Sequence, residues 1–332
     1  MADGSVVLLT GGLGGARLAP ALAKELGPER LTVVTNPGDD FTWYGVRVWP
    51  DFDSVVYALS GLWDAERGWG RRNETFQTTE TLRRLGFPAW FGVGDADLAL
   101  HLHRTEQLAK GHPAEVVGAE VAARLGVEGC AVVPAAAEPA ETYVVLTDGR
   151  RLHFQEWYVG ERAEPEVSSV HLRGGPASPA ALEAINSAEA LVIGPSNPVT
   201  SIDPILALDG MDEAVRAVPR RIGVSPIALR RTSDDPGVAH HARARRHVMA
   251  AEGWADTPLA VAARLTGLID TFVLDDGDAD DARYVRSARP VMSDLLDPPT
   301  LARTLSSLID GLEGGEDFRP WVADPQARTV AS

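Results

Sequence analysis

Apolar residues fall along this chain in two alternating patterns, short unbroken runs and stripes spaced four apart. Val6-Val7-Leu8-Leu9 is such a run, as expected of a strand covered on both faces. After a glycine-rich loop, Gly11 to Gly15, the segment ARLAPALAKEL places Leu18, Leu22 and Leu26 on one helix face, with Gly27 as its C-cap. Leu31 to Thr35 is a second strand, so the chain opens as a βαβ unit and a parallel sheet is expected. A helix is predicted near Val55 to Leu62, and others over Asp97 to Lys110 and Pro113 to Leu125. Short strands follow at Ala131 to Val133, Thr142 to Thr147, His153 to Tyr158 and Ser168 to Leu172. Parallel order returns with a helix at Ala180 to Ser187 and strands at Ala190 to Ile193, Arg221 to Val224 and Thr271 to Leu274. Pro299 to Leu312 reads as a closing helix. The expected fold is α/β: one Rossmann-like domain over residues 1–332, a mostly parallel sheet with helices on both faces. A smaller α+β region is inserted at roughly 54–172.

Composition narrows the function. Lys and Arg number 31 against 47 Asp and Glu, a formal charge of −16, and such a surface disfavours nucleic acid and anionic membranes as partners. A phosphorylated small molecule remains compatible with one locally positive site. Cys130 is the single cysteine, so a cysteine zinc site or intrachain disulfide is excluded and a reducing cytoplasm fits. No run of about 18 apolar residues is present to span a membrane, and the N-terminus lacks signal-peptide character. The acidic run Asp275 to Asp281 lacks EF-hand spacing and reads as a solvated turn.

Candidate chemistry gathers where strands end, because open parallel sheets bind ligands at their carboxyl edge. Gly11, Gly12, Gly14 and Gly15 would let a phosphate approach backbone N–H groups at a helix start. The loop lacks the Lys-Ser or Lys-Thr of a phosphate-loop NTPase, and Arg17 stands where a dinucleotide fold has its third glycine. Arg17 either faces a phosphate or lies along the helix surface. Asn36-Pro37-Gly38-Asp39-Asp40 ends the second strand, and Asp51 and Asp53 follow shortly after. Four carboxylates in two turns suit one magnesium ion, which prefers oxygen ligands and bridges them to phosphates. The alternative for Asp53 is to N-cap a helix starting near Ser54.

Five of the eight tryptophans lie between Trp43 and Trp90, dense enough to stack on a flat heterocycle or to form a small core under long loops. Trp43 and Trp69 are the stacking candidates, with Arg71 and Thr75 lining the pocket. Asp95 or Asp97 either caps a helix or reaches the site. His101 and His103, two apart on a helix, point to different sides and cannot form a metal pair. His103 is the anion candidate. Ser196 and Asn197, in a loop fixed by two prolines, and Ser225-Pro226 end later strands at the same expected edge and suit a second phosphate or a nucleotide.

Taken in order, TGGLGGARLA, NPGDDFTWYGVRVWPDFDSVVYAL, DAERGWGRRNETF, WFGVGDADLALHLHRT, HFQEWYV, GPSNPVTSI and VSPI resemble the CofD/FbiA family. Its members are the 2-phospho-L-lactate or phosphoenolpyruvate transferases of deazaflavin coenzyme F(420) biosynthesis. The resemblance runs from about Val6 to Ile227 and more weakly to the C-terminal region. It implies a magnesium-dependent transfer, in a homodimer, from a guanosine-diphosphate ester of lactate or enolpyruvate to the ribityl hydroxyl of the deazaflavin Fo, with release of GMP. It places Asp39, Asp40 and Asp51 in catalysis, these three and Asp53 at the metal, and the Gly12 loop and Ser196-Asn197 at the donor. After VSPI this chain departs from the family: residues 228–237 read ALRRTSDDPG, keeping charge through Arg230 and Arg231 but losing the family's glycines. That loop puts the identity of the donor's small acid in question, a phosphoglycerate ester included. Two other readings compete. One is a nucleotide- or nucleotide-sugar-binding regulator without turnover, which would bind nucleotide but not Fo. The other is an NAD(P)-dependent oxidoreductase, which the missing glycine disfavours.

Overall fold

A computed structural model describes residues 4–231 and 236–311. Seven parallel strands form the central sheet: β1 (Val6–Thr10), β2 (Leu31–Thr35), β5 (Ala131–Pro134), β9 (Ala190–Ile193), β10 (Arg220–Val224), β11 (Thr271–Asp275) and β12 (Arg289–Ser293). Their spatial order is β12-β11-β10-β9-β1-β2-β5. A hairpin of β3 (Phe41–Trp43) and β4 (Val46–Val48) and a sheet of β7 (Arg151–His153), β6 (Glu141–Leu146) and β8 (Val167–Arg173) stand apart from it.

The buried runs explain the layering. Side chains alternate along a strand, so Val6 and Leu8 face one core while Val7 and Leu9 face the other. The first core is closed by α1 (Gly12–Leu26), α2 (Pro50–Leu59), α5 (Ala114–Arg124) and α12 (Pro298–Ile309). The second is closed by α6 (Pro179–Asn186), α8 (Met211–Ala217), α9 (Pro236–Ala251) and α10 (Pro258–Arg264), with the β6 sheet packed beside them. Each fully buried Leu, Val or Ile adds roughly 1.5–3 kcal/mol of transfer free energy, which both faces of the sheet collect. The remaining helices are α3 (Gln77–Arg84), α4 (Asp95–Ala109), α7 (Asp203–Leu206) and α11 (Ala279–Ala282). Between residues 54 and 172 the chain returns to the main sheet once, as β5. A third apolar cluster, Phe41, Trp43, Val46, Val48 and Val93, supports the hairpin under the long loops.

Three expectations are corrected. Helix α1 starts at Gly12, so only Gly11 separates it from β1: Gly11 is extended (φ −124°), Gly12 turns at φ +34°, and the other glycines are already helical. Only β7, ending at His153, is strand in the segment read as His153 to Tyr158; the chain then coils into a one-turn π-helix, Glu156–Gly160. Tertiary packing wins there, because Trp157 is wholly buried and its indole N–H donates to the Pro165 carbonyl at 2.9 Å. The acidic run is not merely solvated. Asp275 and Asp278 are fully buried; Asp278 accepts from the N–H groups of Leu229 (2.8 Å) and Arg230 (3.2 Å), and Asp275 from Arg231 Nε (2.8 Å). Arg230 and Arg231, which retain charge after VSPI, are therefore paired with the chain's own carboxylates. Thr232 to Asp235 of that loop lie outside the described residues.

Candidate active site

The strand order reverses between β9 and β1, where an open α/β sheet leaves a crevice at its carboxyl edge. The loops after β1, β2 and β9 meet there. Ser196 ties two of them: its Oγ lies 2.9 Å from Thr10 Oγ1 and accepts from Gly11 N at 3.0 Å. Gly14 and Gly11 are glycines by close approach. A Cβ on Gly14 would stand 2.2 Å from the Pro195 carbonyl oxygen, and one on Gly11 2.5 Å from an Asp51 carboxylate oxygen. Gly15 lies equally close to the Thr10 side chain.

Asn36, ending β2, organises the acidic groups. Its Oδ1 accepts from Gly38 N at 2.8 Å and shapes the turn; its amide donates to Asp39 Oδ1 (2.9 Å), Asp51 Oδ2 (2.8 Å) and the Thr200 carbonyl (3.1 Å). One amide group thus bridges two buried carboxylates. Gln155 donates to the other oxygen of Asp39, and the Gly12 N–H supports Asp51. Asp40 is also buried, and its Oδ1 has no hydrogen-bond partner among the described residues. Burial pushes all three carboxyls up: Asp51 to about 6, Asp39 with the added repulsion of Asp51, and Asp40 against the opposing pull of Arg47 and Arg104. Three buried carboxylates with amide donors and one orphaned oxygen are short of positive charge. The Asn36-bridged pair Asp39 and Asp51 offers oxygen donors of the kind a hard divalent cation takes, while Asp40 feels Arg47 and Arg104 as well as Asp51.

Asp53 does not share this centre. Helix α2 begins at Pro50, so Asp53 sits inside the first turn and caps nothing. Two residues past Asp51, it points away to Arg104, which is wholly buried and grips both of its oxygens, one at 2.9 Å. Arg104 stacks over Trp49 at 4.4 Å and donates to His101 Nδ1 at 3.2 Å; His101 Nε2 lies 3.4 Å from Asp97, which also accepts from Tyr57. Asp53, Asp97 and His101 are near enough to one another to share an ion. The guanidinium already supplies the positive charge Asp53 needs, so a metal fits poorly here.

The other predicted residues separate. Trp43 is buried in the hairpin cluster. Trp69 is 47% exposed and, with Phe76, flanks Arg67 in a cleft of about 280 Å³ completed by Thr79, Arg83 and Gly92. A larger cleft of about 410 Å³, between β8, α7 and Arg264, holds none of the central carboxylates. Arg71 is half-buried and bridges to Trp63. Thr75 Oγ1 donates to Asp95 at 2.6 Å, and Asp95 also takes the N–H groups of Gln77 and Thr78. The Thr75 hydroxyl and these N–H groups hold Asp95 well below the usual carboxylate range. Asp95 therefore caps α3 while Glu74 takes the N–H groups of Ala96 and Asp97 at the start of α4, a reciprocal exchange. His103 lies partly exposed beside Glu120, opposite His101, as the helical spacing required. Arg17 is exposed along α1. Asn197 Oδ1 caps the next turn at Val199 (3.0 Å), and Ser225 Oγ closes a turn with Ile227.

Sequence reasoning assigned no role to Gln155 and His153, and read His103-Arg104-Thr105 as an anion site or a solvated helix face, whereas Arg104 is wholly buried on Asp53. His153 is held neutral, its pKa lowered by burial to about 4; Nε2 donates to the Asp40 carbonyl at 3.1 Å and Nδ1 accepts from Gln155 N at 3.1 Å. The HFQEWYV segment is thus a brace on the Asp39-Asp40 turn. Its signal was a polar His and Gln inside an otherwise apolar stretch.

Comparison with known proteins gives the family. The profile of the family described as 2-phospho-L-lactate transferase CofD matches residues 6–303. A phosphoenolpyruvate transferase of Streptomyces griseus subsp. griseus is 40% identical over 295 residues, 85% of this chain and 89% of that one. One from Thermobifida fusca is 37% identical over 328 residues, 92% and 97% of the two chains. Two crystal structures of a Bacillus halodurans protein, a member of the UPF0052 family, share the fold with TM-scores of 0.50 and 0.53. Both are 18% identical, covering 95% and 93% of this chain and 92% and 99% of theirs. By the extent of the profile match and the identity to these relatives, the chain belongs to the CofD family.

Proposed function

We propose that this chain transfers a phospholactyl or phosphoenolpyruvyl group from a guanosine-diphosphate ester to the ribityl hydroxyl of the deazaflavin Fo, releasing GMP. The observation that carries the reading is the buried Asp39-Asp51 pair at the β1/β9 crevice, joined through Asn36, with Asp51 against the Gly11-Gly12 turn and Asp40 buried next in sequence. In this reaction the acceptor oxygen forms a bond to the phosphorus nearer the small acid. The bond from that phosphorus to the GMP phosphate breaks, and GMP takes the electron pair. The hydroxyl proton passes to Asp40, a buried carboxylate outside the Asn36-bridged pair, which acts as general base. Phosphoryl transfer otherwise needs positioning and neutralisation of charge. Asp39 and Asp51 would hold Mg²⁺, which would supply the charge neutralisation.

The Gly12 turn and Ser196 suit the donor diphosphate, and the Trp69 cleft suits a flat ring. The relatives named as phosphoenolpyruvate transferases support the transferred group. The test is mass spectrometry of one reaction containing the protein, Mg²⁺, Fo and the lactyl, enolpyruvyl and glyceryl donors. A mass gain on Fo is expected and names the acid. Absence of product from all three donors, with the protein folded, overturns the reading.

A further inference from the structure

The transferase reading creates an electrostatic problem. A donor ester of a small acid brings its own carboxylate toward three buried carboxylates in a protein of charge −16. Some cationic or hydrogen-donating group must receive it. Helix α9 borders the crevice: Arg245 donates to the Pro226 carbonyl at 3.2 Å, and Ala244 and Val248 share the apolar core with Val199 and Trp157. The arginines nearby are mostly committed. Arg245 is paired with Asp256, Arg231 with Asp275 and Asp294, and Arg230 with Asp280. Arg243 donates to the Arg162 carbonyl (3.1 Å) and approaches His240 (3.5 Å), but its Nε is buried and meets no acceptor among the described residues.

Tyr158 connects this cluster to the carboxylates. It lies three residues after Gln155, which holds Asp39, within the same π-helical turn. Its ring is stacked on Phe154 (5.4 Å, 16°) and packs against His240 at 4.4 Å, and its hydroxyl is hydrogen-bonded to His241 Nδ1. Burial, together with Asp39 and Asp51, pushes the phenol up, so it stays a neutral donor. The Arg162-Ala163 turn that meets Arg243 takes positive φ at both residues (57° and 49°), a strained conformation held by the wholly buried Ala163.

We propose that Tyr158, oriented by His241, and Arg243, beside His240, bind the carboxylate of the donor's small acid and so select acid-bearing donors. The proposal rests on the transferase reading. It is tested by calorimetric titration, without acceptor, of the guanosine-diphosphate ester of lactate, of the neutral lactamide ester and of GDP. The wild-type chain should bind the lactate ester about tenfold more tightly than the amide, as expected of a hydrogen bond to a charged group. Tyr158→Phe and Arg243→Gln should each remove most of that preference and leave GDP binding unchanged. Arg243 lies outside the apolar core, so its variant is informative even if Tyr158→Phe unfolds; Arg243→Lys should retain part of the preference. Equal binding of both esters by wild type overturns this proposal alone. So does a preference that survives in the variants, or a parallel loss of GDP binding. No binding of either ester or GDP by wild type overturns the transferase reading with it.

Discussion

Asp51 carries the strongest single-residue prediction. Its carboxylate is buried, shares the Asn36 amide with Asp39 and receives the Gly12 N–H. Asp51→Asn keeps the volume and an acceptor for those donors but removes the charge. Turnover should fall at least about 100-fold, the size seen when a group stabilising transition-state charge is lost. Relief of the repulsion with Asp39 should leave the melting temperature unchanged or higher. Product mass and a thermal melt of the same preparation check both; full activity sinks the role given to Asp51. At this scale the acidic residues were legible in the sequence, because Asp39 and Asp40 stand directly after a strand and no repetitive role explains them. The pairing of Arg104 was not: it read as facing an anion or solvent, since its partner Asp53 lies 51 positions earlier and only folding brings them together.

Elements are joined by that same pair. Arg104 on α4 grips Asp53 on α2, with no exposure of the guanidinium side chain. Removing one partner leaves a buried unpaired charge, so Arg104→Ala should cost about 3–5 kcal/mol in denaturant unfolding. Arg104→Met with Asp53→Asn should cost less than Arg104→Ala, and if the double variant is the worse, the pair is not what joins the helices. The start of α1 is equally constrained: Gly14→Ala drives a methyl against the Pro195 carbonyl and should destabilise by about 1–3 kcal/mol. The sheet strands β1, β2, β9, β10 and β11 were readable because burial on both faces demands unbroken apolar runs. Strand β12, Arg-Pro-Val-Met-Ser at the sheet edge, shows no such run and was missed. The β3–β4 hairpin was missed for another reason: its turn is Tyr44-Gly45, both at positive φ, rather than the usual Asn-Gly. The 153–158 segment is rich in aromatic residues and reads as a strand, but Trp157 and the Asp39 brace coil it after His153.

For the molecule as a whole, a net charge of −16 with carboxylates folded into its centre means, on the proposed function, that protons and divalent cations compete for one site. The sign follows from linkage. Asp51 has its pKa raised from 3.8 unfolded to about 6 folded, so between those values the folded chain binds more protons than the unfolded one. Its destabilising effect is absent below the unfolded value and complete above the folded one; Asp39, shifted the same way, adds to it. Without divalent ions, the wild-type melting temperature should therefore decline more steeply from about pH 4 to about pH 7 than that of Asp51→Asn. Mg²⁺ should reverse the decline where the carboxylates are ionised, adding about 2.7 kcal/mol at a hundredfold excess over its dissociation constant. At about pH 4 it should add little, because protons hold the ligands. Melts with chelator and with Mg²⁺ at both pH values, on wild type and Asp51→Asn, separate a cation centre from a cluster of buried acids. An equal Mg²⁺ effect in the two proteins would remove Asp51 from the metal site, and parallel pH slopes would remove the burial argument beneath it.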